Sequence, residues 1–436
     1  MMGNKLSIGK RYPIDAGGAV QLLTGIREQS PAILVTYSIS EPVDREKLCS
    51  ATQKALELFP TFRVRLALAG PDKQPVYEDN PAGTDVYLYD GKPHAFGRES
   101  NGYLFRVYCK EKQIMLSVHH VLTDGTGACE FLKCILYYYF NAAEGNAAEI
   151  KKLLLVDPDD LRDPYTVYGD PEAREISRKH IWRNELIIPN RMHYRRGEPA
   201  SVHRMLFSAS DFLKTVKRAE SSMFPLLTLL TGRAVAKVYG GEDITLTGAG
   251  AFNGRSMFGS RTPRSFSQTF PTALDPRERL LDLNTQLTIQ RVRMDIELQK
   301  ETISRSLAGR RERADRMLEN AEYYILDQDR LDVERRESAR KSTYFLSYLG
   351  HIDHGEAIEP YIDSFDYYST VTRVPIVASG FERNGILHFK TLEIGCEHSI
   401  APVLLEIARA YGLEGKMEDS FELCFDSFPM EELYHD

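Results

Sequence analysis

Two adjacent histidines, His119 and His120, end an apolar run that starts at Ile114, and three residues later the chain reads Asp124-Gly125. Side chains alternate along a strand, so Ile114, Leu116, Val118 and His120 share one face, and Met115, Ser117 and His119 share the other. The two imidazoles therefore diverge and cannot chelate one metal together. His120 closes the apolar row, where it should meet a buried surface. An imidazole has an unperturbed pKa near 6.5. At neutral pH it is mostly uncharged and can take a proton, which suits a general base. A nearby backbone carbonyl could hold its other ring nitrogen and fix the tautomer. Asp124 also has a structural reading, as the N-cap of a helix that begins just after it. Gly125 likewise could serve only a tight backbone turn. Singly, such residues are more often structural. The whole seven-residue pattern arises by chance on the order of one time in a thousand at average residue usage, so the pattern, more than any member, carries a functional reading.

Other constellations are weaker. His351, His354 and Glu356 have metal-like spacing, but they follow Gly350 in a turn with no further ligand pattern, so no metal is expected. Gly248, Gly250 and Gly254 miss the dinucleotide-binding glycine spacing by one residue. The chain contains no Gly-x-Ser-x-Gly elbow, which counts against an α/β-hydrolase. The aromatic run from Tyr137 to Phe140 reads as helix-packing core.

Elements that could position His120 are legible on either side of it. Residues 32–40 and 113–120 read as strands, as do 62–66 and 103–108, with a hairpin turn at Lys110, Glu111 and Lys112. Asp44 should cap a helix whose apolar side carries Leu48, Ala51, Ala55 and Leu58, and Pro60 should end it. A second helix is expected from Gly125 to Phe140. Residues 141–200 are rich in proline and charge and read as a crossover, although Tyr165, Val167, Tyr168, Trp182, Leu186, Ile187 and Ile188 should pack against something. A strand at 202–208, helices from Asp211 and over 225–238, and a strand from Ile244 to Ala251 then echo the strand-helix order of the first half. Residues 276–342 favour two long surface helices. Strands at 343–349, 374–379 and 386–394 and a helix over 399–411 complete an α/β pattern. The expected division is 1–170, a crossover at 171–200, and 201–436.

The chain has 436 residues, 42% of them hydrophobic and 27% charged, enough for two cores without staples. Its net charge of −7 gives no general attraction to nucleic acid or anionic membrane. Six cysteines are scattered with no Cys-x-x-Cys pair, so reduced thiols are expected. The N-terminus lacks the apolar core of a signal peptide and no run is long enough to span a bilayer, so a cytoplasmic location is expected.

His119-His120 with Asp124-Gly125 resembles the His-His-x-x-x-Asp-Gly signature of condensation domains and bacterial alcohol acetyltransferase-like proteins, relatives of chloramphenicol acetyltransferase. The stretch from Pro42 through Arg65 is similar to that family's opening helix and strand. Phe252-Asn253-Gly254-Arg255 resembles its Asn-x-Arg segment. Ser347 to Gly350 resembles its late Ser-Asn-x-Gly segment, with Tyr348 in place of the usual Asn. The Asp-Phe-Gly-Trp-Gly motif of the plant branch is absent, the sole tryptophan being Trp182.

The resemblance implies two chloramphenicol-acetyltransferase-like subdomains, each a mixed sheet flanked by helices, with a tunnel between them. It makes His120 the base and gives His119 a minor part. It implies that Asp124 points away from the reaction and pairs with an arginine, for which Arg255 is the candidate. Ser347 and Asn253 are the candidate oxyanion donors, with strand-end or turn hydrogen bonding as the structural alternative. Arg255, Arg261 and Arg264 could meet CoA phosphates, or could form a solvated basic loop. The expected activity is acyl transfer from a CoA thioester, a co-substrate and no resident cofactor, to a small alcohol or amine. The alternatives are a stand-alone condensation enzyme fed by an acyl carrier protein, and a silent binding protein of the same fold.

Overall fold

The structure is a computed structural model that describes residues 10–24, 32–94, 96–173, 199–240, 244–326, 342–369 and 374–424. Five strands, β2 (Ala32–Ile39), β5 (Val86–Leu88), β6 (Phe105–Lys110), β7 (Gln113–His119) and β12 (Ile362–Ser369), make one sheet in the order β12-β2-β7-β6-β5. Two helices cover one face of it: α2 (Arg45–Leu58) and α3 (Gly125–Tyr139). Asp44 caps α2 by accepting from the Lys47 amide at 3.0 Å, and Leu48, Ala51, Ala55 and Leu58 are buried along it. Along β7 the alternation holds. Ile114, Leu116 and Val118 enter the core beneath α2 and α3, while Met115 enters a second core on the opposite face. Phe131 of α3 stacks on Phe62 with centroids 4.0 Å apart, and each such side chain removed from water stabilises the lobe by roughly 1.5–3 kcal/mol. Tyr137 and Tyr139 are buried, and the Asp44 amide donates to the Tyr139 hydroxyl at 2.9 Å, tying α2 to α3.

The second lobe is a seven-stranded mixed sheet. Its members are β8 (Ala200–Ser208), β9 (Leu246–Asn253), β10 (Ser267–Leu274), β11 (Tyr344–His351), β13 (Ile376–Arg383), β14 (Ile386–Glu393) and β15 (Gly415–Leu423), in the order β10-β9-β11-β13-β14-β8-β15. Pairing is parallel at β9–β11 and β11–β13 and antiparallel elsewhere. Helices α6 (Ala209–Arg218), α7 (Met223–Tyr239) and α12 (Ala401–Ala410) bury their apolar sides on one face. The other face meets the first sheet through a shared core that includes Met115, Val202, Tyr368, Val377 and Leu392. A three-stranded sheet, β1 (Arg11–Pro13), β3 (Val64–Ala69) and β4 (Gln74–Asp79), lies beside the first lobe in the order β1-β4-β3.

Two pieces of the second half belong physically to the first lobe. Strand β12 pairs antiparallel with β2, from Ile362 opposite Ile39 to Ser369 opposite Ile33. Helix α10 (Lys300–Glu319) places Ile303, Leu307, Ala314 and Met317 in the first lobe's core. The sheets thus follow a division near residue 200 except at 362–369. Residues 276–342 hold α9 (Leu283–Glu297), α10 and the short α11 (Ala321–Leu326). Most of the expected crossover, with Trp182, Leu186, Ile187 and Ile188, lies outside the described residues. Just before it, Tyr165 is buried and Tyr168 stacks on Phe266 with centroids 5.6 Å apart. Among the described residues, no helix is long and apolar enough to cross a membrane, and no group of three or more His, Cys, Asp or Glu is arranged to hold a metal ion.

Candidate active site

Strand β7 ends at His119 and the chain turns through His120 to Thr123 into α3. His119 is buried. Its Nδ1 accepts the Val121 amide at 3.0 Å, its ring lies edge-on to Phe96, and burial pushes its pKa down to about 3. It is a neutral structural group that fixes the turn. His120 is half-buried. Burial lowers its pKa, and its own carbonyl, the Asp124 carboxylate and the Thr123 carbonyl oppose that shift only in part. Its Nδ1 is buried, and the backbone carbonyls of His120 and Thr123 are the groups that favour a proton on the ring. The outcome is an uncharged imidazole, partly accessible, at the junction of strand and helix.

Asp124 is committed elsewhere. Its Oδ1 accepts the Gly127 amide at 3.1 Å, capping α3. Its Oδ2 accepts the Phe266 amide at 2.6 Å and Arg255 Nη1 at 2.8 Å. Burial alone would raise this carboxyl's pKa, but the Arg255 guanidinium and the two amides outweigh it and hold the group ionised. Arg255 is buried too, and it also donates to the Thr262 carbonyl at 2.8 Å, to the Arg264 carbonyl at 2.6 Å and to Asn253 Oδ1 at 3.2 Å. The pair is a strut between the motif loop of the first lobe and the segment that leaves β9 in the second. Gly125 is the first residue of α3 and does not adopt positive φ. The expected need for a turn conformation is thus replaced by a spatial one: a Cβ there would meet Tyr367 Oη at 2.8 Å.

The candidate oxyanion donors lie on neighbouring strands, Ser347 of β11 being in register with Ala251 of β9. Asn253 caps the short helix α8 (Gly254–Phe258), its Oδ1 accepting the Arg255 amide at 3.0 Å, and its Nδ2 lies 3.3 Å from Thr126 Oγ1. Its side chain is spent on the turn, the structural alternative. Ser347 is half-buried, on the strand that lies between β9 and β13. Tyr348, where the family carries Asn, packs against the second lobe's core, and burial raises its pKa to about 12.

Neither Arg261 nor Arg264 offers a free guanidinium. Arg261 donates to the carbonyls of Leu154, Leu155 and Val156, and buried Arg264 pairs with Asp15 at 2.9 Å. Internal wiring explains this arginine cluster without a phosphate. His351 and His354 part company, His351 Nδ1 meeting Glu382 at 2.5 Å while buried His354 faces the Tyr37 hydroxyl at 3.2 Å. Sequence reasoning missed Tyr367, which carries no motif. Its signal is the glycine at 125, whose missing side chain makes room for it.

No known family profile matches the sequence, and no curated protein does. Solved structures do. TRI101 from F. sporotrichioides, complexed with coenzyme A and T-2, aligns with a TM-score of 0.60 at 12% identity over 94% of this chain and 100% of its own. Polyketide synthase associated protein 5 from Mycobacterium tuberculosis aligns with a TM-score of 0.57 at 12% identity over 94% and 98%. The epimerization domain of tyrocidine synthetase B aligns with 0.56 at 13% over 94% and 97%. The chain has the two-lobed fold of condensation domains and CoA-dependent acetyltransferases.

Proposed function

We propose that this protein is an acyltransferase that moves an acyl group from a CoA thioester to the hydroxyl or amine of a small molecule, with His120 as general base. The observation that carries the reading is the division of labour in the motif: an uncharged, half-buried His120 beside an Asp124 fully engaged by Arg255, Phe266 and Gly127. A base must be neutral and within reach of its proton, and His120 has the first property and the exposure for the second. The fold shared with TRI101 complexed with coenzyme A, and with the TRI3 trichothecene 15-O-acetyltransferase, supports the donor class.

In this reading donor and acceptor meet between the lobes, in a tunnel at His120. The imidazole takes the acceptor proton as the oxygen or nitrogen attacks the thioester carbonyl. Ser347 donates a hydrogen bond to the resulting oxyanion. Collapse expels the CoA thiolate, which recovers the proton from the imidazolium, giving ester or amide and free CoA. Asp124 moves no proton; it holds the loop.

The test is release of free CoA from acetyl-CoA and longer acyl-CoAs against a panel of alcohols and amines. Wild type should turn over at least one pair, and His120→Ala should lose about 10²–10⁴-fold in kcat. A His120→Ala protein as active as wild type on every accepted substrate sinks the base assignment. The shared fold with the epimerization domain keeps a second donor in view, so the same assay is run with carrier-bound acyl thioesters. Turnover confined to those marks a stand-alone condensation enzyme, and binding without turnover of either marks a silent member of the fold.

A further inference from the structure

The turn that carries His120 from strand to helix is held at three points. The Leu122 amide donates to the His119 carbonyl at 3.1 Å, the bond that closes a β-turn with His120 and Val121 at its corners. The Val121 amide donates to His119 Nδ1 at 3.0 Å. The third hold comes from outside the motif. Tyr77, on β4 of the small three-stranded sheet, donates its hydroxyl to the Val121 carbonyl at 2.7 Å. Tyr77 and Val121 are both buried, and burial raises the phenol far above its ordinary range, so it stays protonated and stays a donor.

The Val121 carbonyl and the Leu122 amide belong to one planar peptide unit. Tyr77 holds that plane at its oxygen and His119 holds it at its nitrogen, so it cannot rotate without breaking a buried hydrogen bond. Two further contacts aim the phenol. Arg264, paired with Asp15 at 2.9 Å, sets its guanidinium carbon 5.8 Å from the centroid of the Tyr77 ring. Gly18, in helix α1 (Ala16–Thr24), makes room for the bond: a Cβ there would stand 2.5 Å from the Val121 oxygen and 3.0 Å from the Tyr77 hydroxyl. Asp15 ties these contacts together, since its Oδ1 accepts the Gly18 amide at 2.8 Å. Glycine, ion pair and phenol thus converge on one carbonyl, one residue along from the base.

We propose that Tyr77 is a positioning residue for the general base: its hydrogen bond to the Val121 carbonyl sets the turn that points the His120 imidazole at the acceptor. The inference rests on the acyl-transfer reading and gives the three-stranded sheet a part in it. Tyr77 is only 4% exposed, so it acts through the turn and not by touching substrate.

The experiment compares kcat and KM of wild type, Tyr77→Phe, Gly18→Ala and the two combined, on an acyl-CoA and acceptor pair that wild type turns over. Tyr77→Phe removes one oxygen and keeps the ring beside Arg264, while Gly18→Ala leaves the phenol intact and crowds the same carbonyl. Each should lower kcat about 10-fold with KM for the acyl-CoA unchanged, inside the roughly 10²-fold that a misplacement of about 1 Å can cost. The combined variant should be no slower than the slower single one, because both act through one hydrogen bond. In a His120→Ala background, Tyr77→Phe should leave the residual rate unchanged, a result that general loosening of the fold would not give. Gly18→Ala carries the test if Tyr77→Phe does not fold. Undiminished kcat in both variants, a rise in KM in place of the fall in kcat, losses that multiply in the combined variant, or an equal loss with and without His120 overturns the inference, while His120-dependent turnover leaves the acyl-transfer reading standing. Absence of any His120-dependent turnover in wild type overturns both.

Discussion

At the scale of single residues, the chemistry turns on how burial sets the charge of neighbouring groups in opposite directions. His120 is pushed toward its neutral form by desolvation, while Asp124 is held in its charged form by Arg255 and two amides. The sign of the pH dependence follows. A base works in its deprotonated state, and the His120 pKa lies below the ordinary 6.5, so kcat/KM should be level through neutrality and fall in acid with a midpoint below 6.5. A profile of kcat/KM against pH checks this, and an acid limb centred above 7 would contradict the desolvated imidazole. The histidine pair was legible because strand alternation separates the two rings from sequence alone. The roles of Arg261 and Arg264 were not: nothing in their spacing says that one holds three carbonyls and the other Asp15.

At the scale of elements, the decisive piece is the start of α3. Asp124 supplies its N-cap and the strut to the second lobe, so one substitution removes both. Asp124→Ala should cost about 3–5 kcal/mol, the loss expected when a buried pair is broken and one charge is left behind. Urea denaturation reads this as a lower midpoint at unchanged slope. A change within about 0.5 kcal/mol would mean that the carbonyls around Arg255 suffice without the carboxylate. The folded pKa of Asp124 is depressed, so its contribution is present at neutral pH and disappears as pH falls through that depressed value. Helices α2 and α3 were readable from their caps and apolar periodicity. Strand β12 was not, because Ile362-Asp-Ser-Phe-Asp-Tyr-Tyr-Ser reads as polar and alternates poorly. Its Asp366 is acceptable inside the protein only because Arg204 and Lys390 converge on it from other strands, beside the hydroxyl of Tyr368 two residues along.

At the scale of the whole molecule, the lobes are joined by that same charge cluster. Lys390 is buried, desolvation and the Arg204 guanidinium hold its pKa well below the ordinary lysine range, and Asp366 is the carboxylate in contact with its Nζ. Asp366→Ala should cost about 3–5 kcal/mol by stranding it, and Asp366→Ala with Lys390→Met should recover part of the loss. Thermal or urea unfolding of the single and double variants measures this, and equal loss in both refutes the pairing. Two lobes could be anticipated from the recurrence of strand then helix. That the second lends a strand and a helix to the first could not, because pairing partners distant in sequence leave no local periodicity. The borrowed strand also sets a timetable for synthesis. The ribosome releases β2, β5, β6 and β7 long before Ser369 emerges, so the nascent first lobe waits with the edge of β2 unpaired while most of the second is still being made.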